Sequence, residues 1–312
     1  MRVLIILSRD VFKKGNPRNE SLLTRVEFLS TIANVDLLMP RSDIKSVSLS
    51  GDTFQYKPPG ILGIIIRCLF NLILFKPLQY NFSKPLIDIY SDYPDSDLYD
   101  LIIFDTIRVI GFLSKFKAKV TMLDADDIFS KRYFDQAKKK HKTSLLNAYE
   151  SRVSPIILKI IKSLSFPILL YESKAFKKIE KSYLKFFSYV LLISEKEEKK
   201  LKKMIMKTDS NVSNNIMSIP HFSKNLMFSH KLSKYHKPKY LNSGFMVGNY
   251  KYPPSLRSFE ITVSEIFPNI LKTNPNFVLH IFGPGLEKIQ YSHYKNIKYH
   301  GFVEDLRSEI NK

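Results

Sequence analysis

The sequence predicts an α/β fold built as two Rossmann-like domains with parallel sheets. Three observations predict it. Short apolar runs rich in Val, Ile, Leu and Phe alternate with longer segments whose apolar residues recur every three or four positions, the signature of strand–helix–strand units. A polar, basic stretch at 221–241 separates two such series. Both series place glycines or acids directly after apolar runs, where the carboxyl ends of parallel strands would lie.

The run at 2–8 is the first strand, and the loop after it holds Gly15 and Pro17. A helix over 20–32 follows, with Leu22, Leu23, Val26 and Leu29 on one face. Residues 35–39 form the second strand, ended by Pro40, and 41–60 read as irregular. Residues 61–75 read as a helix interrupted by Arg67 and Asn71, and 86–90 as a short helix. Buried strands follow at 101–104 and 120–123, with a short helix at 107–116 between them. Residues 128–185 read as long helices broken near Pro155 and Pro167. After a strand at 189–193, Ser194 is placed to cap a charged helix running to about Met206. The strand at 216–219 ends a first domain over 1–220; 221–241 is a linker, and 242–312 is a second domain. There a strand at 244–247 leads through Pro253 and Pro254 into a helix to about Lys272. Strands at 277–282 and 296–299 and a helix at 303–310 complete it.

Composition narrows the function classes. The chain is 44% hydrophobic and 13% aromatic, enough for a globular core. Its single cysteine, Cys68, lies in an apolar run, which excludes an intrachain disulfide and a multi-cysteine zinc site and fits a cytoplasmic setting. The 49 Lys and Arg against 29 acids give +20, a field that attracts nucleotide phosphates, nucleic acid or an anionic membrane surface. The aromatics sit in apolar strands and helices rather than between basic patches, which speaks against nucleic acid. The opening run meets Arg9 and Asp10 too soon for a signal peptide. The run at 61–75 falls short of the ~20 residues a spanning helix needs. That run and the lysine-studded 154–174 could instead lie on an anionic membrane face, or pack on the sheet with their lysines in solvent.

Two groups of residues carry chemistry. In the second domain Gly248 follows one strand, and Gly283 and Gly285 follow the next. Glycine lets backbone amides approach a pyrophosphate, and a following helix adds partial positive charge. Ordinary strand–helix turns would look the same. The absence of Gly-x-Gly-x-x-Gly after the first strand argues against a dinucleotide-binding dehydrogenase. In the first domain Asp124, Asp126 and Asp127 follow the strand at 120–123. Carboxylates there could orient an acceptor hydroxyl, accept its proton, or hold Arg132 or Arg108 in a bidentate pair. Asp127 also suits the N-cap of the next helix.

The order of these segments resembles the GT-B glycosyltransferases, in particular the retaining family-four enzymes of bacterial polysaccharide synthesis. Gly248-Asn249-Tyr250, a Pro-led helix, Ile281-Phe282-Gly283-Pro284-Gly285 and Gly301-Phe302-Val303-Glu304-Asp305-Leu306 follow that family's donor domain. Gly15-Asn16-Pro17-Arg18, Pro77-Leu78-Gln79-Tyr80, Thr106-Ile107-Arg108 and Leu123 through Tyr133 follow its first domain, so the resemblance spans nearly the whole chain. It implies a donor site of Gly248, Asn249, Lys251, Gly283, Gly285, His300, Gly301 and Val303. It implies an acceptor side of Gly15, Arg18, Arg108 and Arg132, with Asp124 and Asp126 nearest the chemistry. GT-B enzymes generally need no catalytic metal, so the expectation is a nucleotide-sugar substrate, no cofactor and no metal. The expected activity is transfer of a sugar to a saccharide or lipid-linked acceptor in surface polysaccharide synthesis, such as capsule or O-antigen, at the cytoplasmic membrane face. Because the family's donor domain continues past the equivalent of 303–310, the second domain is expected to be incomplete, a C-terminally truncated form. The alternative is an inactive remnant or a partner subunit of a split transferase.

Overall fold

A computed structural model describes residues 1–12, 17–42, 49–85, 93–94, 98–138, 165–206, 215–220, 242–251, 253–286, 295–304, 306 and 309. The chain divides into two compact units, Met1–His141 with Phe166–Met227 and Lys142–Ser165 with Phe228–Lys312.

The first unit is built on β1 (Arg2–Ile6), β2 (Asn34–Pro40), β3 (Thr53–Tyr56), β4 (Tyr99–Asp105), β5 (Ala118–Asp126), β6 (Tyr189–Leu192) and β7 (Ile216–Ser218). They form one parallel sheet in the order β3-β2-β1-β4-β5-β6-β7. Covered on both faces, such a sheet needs strands that are apolar throughout, and Val3, Leu4, Ile5 and Ile6 are all buried. Alternation sends Val3 and Ile5 to one core with Val35, Leu37 and Met39, where α1 (Pro17–Ser30) adds Leu22 and Val26. Leu4 and Ile6 go to the other, with Phe104, Leu123, Val190 and Phe176. Phe176 comes from α4 (Ser165–Glu180), which follows α3 (Phe129–Lys138) among the described helices of this unit. α2 (Ile61–Ile73) lies earlier in the chain; α5 (Tyr183–Phe186) and α6 (Glu195–Met206) follow α4. Strand order runs outward from β1 to β3 and then returns to β4, so β1 and β4 flank the switch point at which such sheets bind ligands.

The second unit holds β8 (Ser243–Val247), β9 (Val278–Phe282) and β10 (Ile297–Gly301), parallel in the order β10-β9-β8. α7 (Pro253–Ile261) and α8 (Phe267–Thr273) cover it, joined by a π-helical turn at Thr262–Ile266. Pro268 has no N–H to return to the Ser264 carbonyl, so the helix widens there. Phe259, Val263 and Phe267 pack on Leu279 and Ile281.

Two expectations need correction. Residues 41–60 are not wholly irregular: Thr53-Phe54-Gln55-Tyr56 forms β3, and Tyr56, fully buried, donates from its hydroxyl to the Leu7 carbonyl at 2.8 Å. Four residues are too few for periodicity to reveal. α4 begins at Ser165 with Pro167 in its first turn, where a missing N–H does no harm, and residues 139–164 before it lie outside the described residues. The helix expected over 107–116 is a tighter 3₁₀ segment, Ile107–Phe112. The elements expected at 86–90, around Pro155 and at 221–241 lie outside the described residues, as do Gly15 and most of 303–310.

Candidate functional site

At the switch point of the first sheet, the carboxyl ends of β4 and β5 present Asp105, Asp124 and Asp126, and α1 presents Arg18 and Arg25 to them. Seven residues apart, these arginines share one helix face with Leu22 between them. Arg18 reaches all three acids: Nη2 lies 3.1 Å from Asp105 Oδ1 and 2.9 Å from Asp124 Oδ2, and Nη1 lies 3.1 Å from Asp126 Oδ1. Arg25 pairs with Asp124 and donates to the Ile219 carbonyl at 3.5 Å. Arg9 Nε lies 3.5 Å from Asp105 Oδ2, which also accepts from Ser8 N and Oγ at 3.1 and 2.5 Å. Asp105 and Asp124 are 1% and 2% exposed and Arg18 is 7% exposed, so these charges survive burial only because they neutralise one another. Burial alone would lift the Asp105 carboxyl; Arg9, Arg18 and the Ser8 donors outweigh it and hold the pKa below the usual carboxylate value. Burial likewise works against the Arg18 cation, and the fields of Asp124, Asp105 and Asp126 more than reverse it.

The backbone is strained at the same place. Thr106, directly after β4, has φ 66° and ψ 174°, and Asp126 has φ 73°. Non-glycine residues rarely adopt such angles, and a β-branched one least of all. The register of β5 against β6 slips between Asp124 and Asp126, a bulge that re-aims the end of the strand.

Of the two arginines expected to pair with these acids, Arg132 does so and Arg108 does not. Asp124 itself holds Arg18 and Arg25, both from α1. Arg108 donates Nε and Nη2 to the Gln79 Oε1 at 3.0 and 2.7 Å, and Gln79 in turn donates to the Tyr133 hydroxyl. Arg132 pairs with Asp127 and lies 3.9 Å from Asp126. Asp127 is not the helix cap, since α3 starts at Phe129, one residue too late for it. Glu180 of α4 does that work, accepting from Ser130 N at 2.9 Å and from the Ser130 hydroxyl. Burial raises Glu180 to about 7 against the pull of the Ser130 donors. Burial raises Asp127 to about 6, with Arg132 opposing. Among the described residues no group of three or more His, Cys, Asp or Glu is placed to hold a metal ion.

In the second unit, the turns after β8 and β9 interlock. Gly248 N donates to the Phe282 carbonyl at 3.0 Å, and Tyr250 N to the Pro284 carbonyl at 2.9 Å. A Cβ on Gly283 would stand 1.8 Å from the Gly248 carbonyl oxygen, and one on Gly285 2.5 Å from Lys251 N. Both glycines have positive φ, 119° and 112°. What these glycines admit is each other's backbone, which explains their spacing without a ligand. Asn249 Oδ1 accepts from Lys251 N at 3.1 Å, leaving the exposed Lys251 side chain at the turn's tip. Gly301 has φ 70° and accepts at its carbonyl from Gly283 N at 2.6 Å. His300 is exposed, stacks on Phe282 at 4.5 Å and shares a 2.9 Å hydrogen bond with His280 Nδ1. Val303 is half-buried.

Sequence reasoning missed Arg25, Arg9, Asp105 and the His280–His300 pair. The seven-residue spacing of Arg18 and Arg25 and the position of Asp105 at a strand's end were the available signals. Nothing local links His280 to His300; the β9–β10 register does.

No protein-family model matches the sequence, and no curated protein matches it. Among solved structures the chain is similar to sucrose-phosphate synthase from Thermosynechococcus elongatus, at 11% identity and a TM-score of 0.52 over 97% of this chain and 70% of that one. It is also similar to Anabaena HepE in complex with UDP and glucose, at 12% identity and a TM-score of 0.42 over 97% of this chain and 70% of that one. The first likeness is one of fold: an α/β chain with two parallel sheets, the architecture of the GT-B glycosyltransferases.

Proposed function

We propose that this chain is a glycosyltransferase that moves a sugar from a nucleotide-sugar to a saccharide or lipid-linked acceptor, in surface polysaccharide synthesis at the cytoplasmic face of the membrane. The observation that carries the reading is the fold likeness to sucrose-phosphate synthase over 97% of the chain. The family-four resemblance of the ordered motifs supports it. In this reading the donor's phosphates sit at the turns of the second unit, by Gly248, Asn249, Lys251 and Gly285. Lys251 and the turn amides stabilise the departing pyrophosphate, and His300, Gly301 and Val303 border the base. The acceptor sits at the carboxyl edge of the first sheet, near Arg108, Arg132 and Asp126. Asp126 is half-buried and accepts an acceptor hydroxyl. Asp124, enclosed by two guanidiniums, sets the position of Arg18 and Arg25. No cofactor or metal takes part.

Calorimetric titration with UDP, GDP and dTDP tests the donor half. One of the three binds saturably, and Lys251→Ala weakens it. Absence of saturable binding by all three nucleotides and their sugar conjugates overturns the reading.

A further inference from the structure

α2 is built inside out. Over its 13 residues the apolar side chains Ile61, Leu62, Ile65, Leu69, Phe70 and Ile73 face solvent, with Ile61 74% and Ile73 79% exposed. Its polar residues face the protein. Asn71, only 5% exposed, donates to the Leu78 and Tyr80 carbonyls at 3.0 and 2.9 Å. Arg67 donates to the Asn81 and Pro85 carbonyls. A helix that covers a sheet points its apolar stripe inward; this one points it outward over roughly half its circumference. Beyond its end Leu74 and Phe75 continue the exposed apolar surface.

The ground beside it is cationic. The Tyr171 hydroxyl of α4 donates to the Lys76 carbonyl at 2.8 Å and to that of Asn71 at 3.1 Å, fixing the two helices together. On α4, Lys174 and Lys178 follow Tyr171 by three and seven residues and so share its face. Lys178 Nζ lies 5.8 Å from the Phe75 ring centroid. The acids of α4, Glu172 and Glu180, are buried, so its exposed charge is all positive: Lys174, Lys177 and Lys178. An apolar stripe bordered by lysines, on a chain of net charge +20, complements a surface that is apolar below and anionic above.

We propose that α2 is an interfacial anchor that lies in the plane of an anionic lipid bilayer. It sinks Ile61, Leu62, Ile65, Leu69 and Ile73 below the headgroups, while Lys76, Lys174 and Lys178 meet lipid phosphates. At 13 residues it is about 20 Å long, short of the ~30 Å hydrocarbon core, so it lies on the bilayer and does not cross it. Among the described residues no helix is long and apolar enough to cross a membrane. Docked this way, α2 also orients the first sheet. Asn71 holds the 78–80 turn, whose Gln79 carries Arg108, so the first sheet's carboxyl edge is fixed with respect to the lipid.

Vesicle flotation of the full chain tests this without any nucleotide-sugar, so its result is independent of transferase activity. The wild type floats with phosphatidylcholine vesicles containing phosphatidylglycerol and binds pure phosphatidylcholine at least about tenfold more weakly. Leu69→Glu/Ile73→Glu loses flotation by a similar factor while keeping the wild-type thermal melt, because both residues are exposed. Lys174→Glu/Lys178→Glu loses only the dependence on phosphatidylglycerol. Failure of the wild type to float overturns the proposal, as does equal flotation by the Leu69→Glu/Ile73→Glu variant. So does a wild-type dimer, seen by sedimentation equilibrium, that this variant dissociates and that does not bind vesicles: the stripe is then a contact between copies.

Discussion

Replacing Arg18 with Met removes the cation that Asp105, Asp124 and Asp126 share at the carboxyl edge of the first sheet. The side chain that is lost makes three contacts of 2.9–3.1 Å to carboxylates, two of which are almost wholly buried. Arg9 still serves Asp105, Arg25 still serves Asp124 and Arg132 lies 3.9 Å from Asp126, so no carboxylate is entirely abandoned. Breaking one partner out of a buried ion pair costs about 3–5 kcal/mol, and the lower end applies here. In a unit of this size each kcal/mol moves the melting temperature by about 2–4 °C, so Arg18→Met should melt about 6–12 °C lower at neutral pH. The difference should shrink in acid. In the wild type the native Asp105 pKa is held below its unfolded value, so its contribution is complete above about pH 4 and is lost as pH falls through the native value. Without Arg18, burial acts with less opposition and the native pKa moves up; the variant's penalty is then relieved as pH falls from 7 toward ~4. Asp105→Asn in the same background should restore part of the loss, a non-additivity visible by calorimetric melts of the four proteins. A drop of less than about 2 °C, or a gap that does not change with pH, would refute the idea that this network is held by mutual neutralisation.

Other outcomes follow from the same geometry. Glu180 and Glu172, each raised by burial to about 7, take up protons on folding, so stability should decline as pH rises from their unfolded values near ~4.3 through about 7. Glu180→Gln should flatten much of that decline between pH 5 and 8 in parallel melts; an unchanged slope would remove Glu180 from the account. Gly283→Ala puts a methyl 1.8 Å from the Gly248 carbonyl at φ 119°, and should unfold or rearrange the second unit. Gly301→Ala meets nothing within 4 Å at φ 70° and should cost only about 1–2 kcal/mol. Equal losses in denaturant titrations of the two variants would show that backbone angle, not the interlocked turns, makes Gly283 necessary.

Local chemistry was enough to place the strands other than β3, and the two parallel sheets. The run Val3-Leu4-Ile5-Ile6 is set by burial on both faces, the alternate Leu279 and Ile281 by burial on one, and Gly283-Pro284-Gly285 by a turn that L-residues cannot make. These are interactions within a few residues, which a sequence displays directly. The site was legible only in part: Asp124, Asp126 and Arg18 could be named, but not Asp105, nor who holds whom. Arg18 meets Asp105 and Asp126 across 87 and 108 residues, through a strand order that sends the chain out to β3 and back to β4. Arg25 was hidden for the same reason, and so was the His280–His300 pair, which depends on register. α2 shows the limit most plainly. Its apolar stripe is evident in the sequence, and a stripe there ordinarily means core. Only the tertiary structure, which gives Asn71 and Arg67 the carbonyls of the 78–85 segment as partners, turns that stripe outward, because an unsatisfied buried carbonyl is a heavier penalty than an exposed leucine.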